Sequence, residues 1–142
     1  QGDTLIEAPT DAGTYTMTIT GKGNFAGSTS TEFTIGKAAG TLTASGNKVK
    51  TKSKTVKLKK AKKISADKAY TIEGTIGELA FSKVKASKKA GKFKVNAKSG
   101  QIIVKKGLKK GKYKLTVLIS DAGDKNHEAA EAQAVVTINV KK

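Results

Sequence analysis

The chain has 142 residues, no cysteine, and 28 basic against 11 acidic residues, for a formal net charge of +17. That length suits one domain, or one complete module with a piece of another. The missing cysteine excludes disulfides, zinc–thiolate sites and thiol nucleophiles together, and no apolar run approaches the ~20 residues of a membrane-spanning helix.

Residues 1–10 lack the basic region and apolar core of a signal peptide, so the expectation is a segment lying inside a larger protein. Residues 3–7 form a short candidate strand, ended by Ala8-Pro9-Thr10-Asp11. Residues 13–20 then alternate, with Tyr15, Met17 and Ile19 on one face and threonines on the other. Gly21, Gly23 and Gly27 punctuate a loop, and residues 30–35 bring Phe33 and Ile35 back to the apolar face. Three strands of this size sit at the margin of independent stability.

A composition break follows. Residues 1–36 carry one lysine, Lys22, against Asp3, Glu7, Asp11 and Glu32, while the rest carries 27 lysines, no arginine and seven acids. A change of that size marks a boundary near residues 36–40. Beyond it, residues 47–60 read as two edge-like strands about Lys52-Ser53, and residues 61–66 are ambiguous. Residues 69–74 direct Tyr70 and Ile72 inward, and residues 77–85 direct Leu79 and Phe81 inward, with Val84 out of step. That slip predicts a β-bulge or an early strand end.

The stretch that organises the chain is 92–121, read as three antiparallel strands: a hairpin, a glycine-bounded loop and one long strand. Phe93 and Val95, then Tyr113, Leu115, Val117 and Ile119, alternate with lysines. Asn96-Ala97-Lys98-Ser99-Gly100 supplies the turn, with Gly100 expected at positive φ. A half-buried hairpin needs a second sheet to cover it, which implies a sandwich. The last strand runs through Ala132, Ala134, Val136, Ile138 and Val140; helix propensity at 129–134 competes with this, but the continued alternation argues for strand. Short strands at 8–12-residue spacing with glycine turns fit an antiparallel all-β sandwich of Greek-key type. The N-terminal part also looks like the end of the chain repeated, with Tyr15 over Tyr113 and Asn24-Phe25 over Asn126-His127. Residues 1–37 therefore read as the last strands of an upstream module and 38–142 as a complete one; a single core shared by all 142 residues is the alternative.

Candidate chemistry is sparse. The lysines suit either a cationic face for anionic polymers or a solvated outer face that discourages edge-to-edge pairing. Spread over nearly every strand, they favour the second, with salt-dependent polyanion binding as a by-product. Specific nucleic-acid readout is disfavoured, because arginine forks are missing and aromatic residues are few. His127, the single histidine, has Asp121, Asp124 and Glu128 nearby but no activated serine, and it fills the slot that Phe25 takes in the first copy; it reads as a loop plug. The loop 121–128 offers oxygen ligands that loosely resemble a calcium loop, yet Lys125 sits among them and the acidic pattern is incomplete. A lysine–asparagine isopeptide crosslink has Asn47, Asn96, Asn126 and Asn139 available, without a signature placing lysine, asparagine and acid on facing strands. No catalytic, cofactor-binding or metal-ligating residue is assigned.

The patterns AGTYTMTITGKGNFAGSTSTEFTI, FKVNAKSGQIIVKKGLKKGKYKLTVLISDAGDKNH and AVVTINVKK resemble bacterial immunoglobulin-like repeats of large surface proteins, especially those of gut Firmicutes. Their order of turn glycine, isoleucine–valine strand, Gly-x-Tyr strand and Ala-Gly-Asp loop also looks like the cadherin-like and Ig-type families. The resemblance implies extracellular display on a Gram-positive surface, tandem arrays, and a non-enzymatic spacer, stalk or adhesion role with no transferable functional residues and no cofactor. The expected partners are adjacent modules of the same polypeptide and, in the second reading, anionic glycans or wall polymers. A half-module with an uncovered apolar face also invites a strand-exchanged dimer.

Overall fold

The computed structural model describes residues 7–52 and 57–141; most of the candidate strand at 3–7 and the turn after Lys52 lie outside them. The alternating stretches form strands, because period-two side chains give a pleated backbone one dry face and one wet face. First come β1 (Gly13–Thr20) and β2 (Ser28–Ile35), an antiparallel hairpin whose strands pair only with each other among the described residues. The remaining strands are β3 (Thr43–Gly46), β4 (Lys48–Lys52), β5 (Lys62–Ile64), β6 (Tyr70–Glu73), β7 (Leu79–Ala86), β8 (Phe93–Val95), β9 (Ile102–Val104), β10 (Gly111–Asp121) and β11 (Ala130–Lys141). They build two facing layers.

One layer has the order β4-β11-β10-β7; the other consists of β3-β6 and β5-β9-β8, linked because β5 and β6 follow one another across a helical turn, α1 (Ala66–Ala69). The core lies between the layers. Leu115, Val117, Ile119, Ala134, Val136 and Ile138 from the first, and Phe93, Ile102 and Val104 from the second, are almost fully buried. Tyr113, at the start of β10, donates its hydroxyl to the Lys109 carbonyl four residues back at 2.9 Å, the corner hydrogen bond of immunoglobulin-type sandwiches. The protein is an all-β, Ig-like sandwich.

Several expectations hold and several are revised. Gly100 has φ 64°, and a Cβ there would lie 2.8 Å from the Phe81 ring, so the turn needs glycine twice over. Asn96 Oδ1 accepts from the N–H groups of Lys98 and Ser99, completing that turn. Val84 is the bulge residue: Thr116 pairs with Lys85 and Val117 with Lys83, which leaves Val84 without an opposite number. Two corrections concern pairing. The strands of 92–121 do not share a sheet: β8 and β9 form the hairpin in one layer, and the loop 105–110 carries the chain across to β10 in the other. The second concerns residues 47–60: among the described residues of that stretch β4 is the one strand, and it pairs parallel with β11, while Lys57 makes an isolated bridge to Lys109.

The parallel pair has a local cause. β3 belongs to one layer and β4 to the other, so the chain changes layers at Gly46-Asn47. Asn47 donates its N–H to the Ala69 carbonyl and accepts the Thr137 N–H on its own carbonyl, joining both layers through one residue. A Cβ on Gly46 would collide with the Val135 carbonyl, so the crossing is as close as glycine permits.

Candidate functional site

The sandwich has two chemically different ends. β10 runs from Gly111 to Asp121 antiparallel to β7 and β11, which places the loops 74–78, 96–100 and 122–129 at one end and the loops 87–92 and 105–110 at the other. The first end abuts the β1–β2 hairpin.

That contact is built from both sides. Ala38 bridges to His127 in parallel fashion: its N–H donates to the Asn126 carbonyl, and its own carbonyl accepts the Glu128 N–H, each at 2.8 Å. Asn126 faces Asp11 and Ala12, giving its Nδ2 to Asp11 Oδ1 at 2.7 Å and taking the Ala12 N–H on Oδ1 at 2.8 Å. Lys125 Nζ lies 2.5 Å from Asp11 Oδ2, and Lys37 Nζ donates to the Asp124 carbonyl at 2.8 Å. Lys125 and then Asn126 hold the Asp11 carboxyl below its usual range, and Asp11 in turn raises the Lys125 ammonium. Exposed ion pairs contribute little by themselves. The backbone bridge and the bidentate asparagine fix the geometry.

The predicted candidates fall in this same loop. Asp121 is buried, and its carboxylate accepts N–H groups from Ile76, Gly77 and Gly123 at 2.7, 2.7 and 2.8 Å. Those donors, Ile76 first, depress its pKa. Asp124 accepts from the N–H groups of Asn126 and His127, and its Oδ1 lies 2.8 Å from His127 Nδ1; the imidazole contact is the main cause of its lowered pKa. Each carboxylate thus closes its own loop, and the two do not converge on a common point. Among the described residues no group of three or more His, Asp or Glu side chains is placed to hold a metal ion. His127 is half-buried, as a loop plug would be, whereas Phe25 in the corresponding slot of the hairpin is 80% exposed. Asn139, opposite Lys112 on one side and Lys50 on the other, is the asparagine closest to lysines in register, but Lys50 and Lys112 point to solvent and no carboxylate stands opposite any of the three.

The opposite end corrects the reading of the lysines as evenly spread. Residues 57–63 carry five lysines, 88–92 three and 105–112 five, with no carboxylate in any of these segments. Glu73, Glu78, Asp121, Asp124, Glu128 and Glu131 all belong to the hairpin end. The three lysine segments are tied together: Leu58 N–H donates to the Leu108 carbonyl, Gly107 N–H to the Leu58 carbonyl, and Lys105 N–H to the Lys92 carbonyl. Lys92 Nζ reaches the Lys106 carbonyl at 3.0 Å, and Lys88 Nζ stands 5.4 Å from the Tyr113 ring centroid, within cation–π range.

No protein-family model matches the chain, and no curated protein does. Among solved structures it is similar to mouse cadherin-23 EC22-24, at 16% identity and a TM-score of 0.46, over 90% of this chain and 42% of that one. It is also similar to an endo-fucoidan hydrolase of glycoside hydrolase family 107, at 16% identity and a TM-score of 0.32, over 92% of this chain and 19% of that one. The chain therefore spans less than half the length of either structure. Likeness at this level assigns no activity. No helix among the described residues is long and apolar enough to cross a membrane.

Proposed function

We propose that the chain is a non-enzymatic, extracellular Ig-like repeat of a larger bacterial surface protein, acting as a spacer, stalk or adhesion module. Residues 1–37 are then the closing strands of one module and 38–142 the whole of the next. One observation carries this reading: the β1–β2 hairpin repeats β10–β11. Tyr15 donates to the Asp11 carbonyl four residues back at 2.9 Å, as Tyr113 does to Lys109. Gly13 lies opposite Ile35 and Tyr15 opposite Phe33, as Gly111 lies opposite Val140 and Tyr113 opposite Ile138. In the sandwich that apolar face is covered by the second layer. On the hairpin Met17, Ile19 and Phe33 are 47, 57 and 40% exposed, a surface that strands of a preceding module would cover. In the isolated chain a strand-exchanged dimer is the competing way to cover it. The Gram-positive gut setting rests on the sequence resemblance alone, and protease shaving of intact cells tests the surface location.

The contact at Asn126 then recurs as the joint between successive modules. Small-angle scattering tests this directly. The intact chain is expected to fit one hairpin–sandwich angle, and Asn126→Ala, which removes both bonds to 11–12, to broaden the distance distribution. Identical profiles for the two proteins would remove the joint from the argument.

A second reading, an anionic glycan- or wall-polymer-binding module, is favoured by the separation of charge between the two ends.

A further inference from the structure

The lysine-rich end contains an open cleft of about 430 Å³ lined by Lys89, Ala90, Gly91, Lys92 and Lys105. Gly91 leaves its side of the cleft open, since a Cβ there would meet nothing within 4 Å. Lys89 and Lys105 are exposed on its rim, with Lys106, Lys109 and Lys110 exposed on the adjoining loop. Lys89 also has φ 56°, the one left-handed non-glycine residue among those described. That conformation costs free energy in any residue with a Cβ, and such outliers cluster at ligand sites.

Concentrating ammonium groups on three tied loops is itself unfavourable, because like charges repel wherever they lie closer than the ~8 Å Debye length of physiological salt. A following module docked here is one way to relieve it. Yet the joint seen at the other end uses one lysine–carboxylate pair and one lysine–carbonyl contact, far fewer charges than the five lysines of 105–112 alone. A flexible polymer with a charge on every repeat unit can neutralise many lysines together, releasing counterions as it does. Aromatic platforms for unpaired bases are lacking in the lining, which turns the choice away from nucleic acid.

We infer that this cleft and its rim bind a linear polyanion whose repeat units carry phosphate or sulfate groups. The assignment rests on the anionic-polymer reading above and adds the place and the geometry. Lys89, Lys105, Lys109 and Lys110 supply the charges, while Lys92, held by the Lys106 carbonyl, fixes the two loops relative to each other.

The test uses the full chain with inorganic polyphosphate, dextran sulfate and an oligothymidylate of matched charge, titrated at several salt concentrations. Replacing Lys89, Lys105, Lys109 and Lys110 by Gln is expected to weaken polyphosphate or dextran sulfate binding at least ~10-fold. The slope of log K against log salt should become shallower by about 3, at roughly 0.7 per lost contact. A control with equal charge loss, Lys48, Lys50, Lys68 and Lys98 to Gln, should change affinity by less than about threefold on the same argument. Lys89→Gly separates binding from backbone strain, for it should keep or raise thermal stability while lowering affinity. Preference for polyphosphate or for dextran sulfate identifies the source of the anion, and either supports the site. Equal losses in both quadruple variants would overturn the location and leave the polymer-binding reading standing. An intact chain that binds neither polymer would overturn both. Tighter binding of the oligothymidylate would overturn the ligand class.

Discussion

Two tyrosines with opposite fates show how single hydroxyls act here. The Tyr113 hydroxyl is bonded to the Lys109 carbonyl, whereas the Tyr70 hydroxyl is buried with no partner among the described residues, and burial pushes its pKa well above the ordinary phenol value. Removing a bonded hydroxyl loses a hydrogen bond worth about 1 kcal/mol, while removing an unsatisfied one relieves a desolvation cost of similar size. Tyr113→Phe should therefore destabilise by about 1 kcal/mol, and Tyr70→Phe should leave stability unchanged or raise it, in urea titrations of the two variants. Asp121 makes a pH-dependent contribution. Its three N–H donors lower the folded-state pKa, so its stabilisation is present above the unfolded carboxylate value of about 3.9 and is lost as pH falls through the folded value. Melting temperature should hold between neutral pH and about 5, then decline. In Asp121→Asn the neutral-pH value should start lower and the acid decline should flatten. A parallel decline in both proteins would show that other carboxylates govern acid unfolding.

At the scale of elements, burial separates two hairpins that share a pattern. β10 is buried along its inner face, with Leu115, Val117 and Ile119 at 0% exposure, while β1 presents Met17 and Ile19 to solvent. Local opening depends on buried apolar contact. In a strict monomer, amides of β1 should exchange much faster than those of β10, read by hydrogen–deuterium exchange mass spectrometry; equal protection would disprove the incomplete-module reading. The crossing at Gly46 is open to mutation in the same way. Because a side chain there meets the Val135 backbone and not the end of a flexible side chain, Gly46→Ala should cost about 1–3 kcal/mol, or more if β3 detaches. No local residue pattern announces this crossing. The short β3 segment has small and polar residues only, and its pairing with β6 comes from where the chain must pass, not from its own alternation.

Across the whole molecule, charge is sorted by connection more than by strand. Up-and-down strands send every other loop to the same end, so the acid-free segments 57–61, 87–92 and 105–110 gather at one end, while loops 74–78 and 122–129, which bear Glu78, Asp124 and Glu128, gather at the other. Counting lysines strand by strand hides this. Counting them loop by loop, in an assumed sandwich, would have revealed it. The sequence by itself determined the class of fold, a break in the alternation at Val84, the glycine turn at Gly100 and the inward face of β10, because each depends on neighbours within one strand or turn. Only the tertiary structure decided that 92–121 divides between two layers, that β4 runs parallel to β11, that Asn126 holds residues 11–12, and that the lysines converge. Those relations join residues tens of positions apart, and no local period of side chains encodes which distant partner closes the layer.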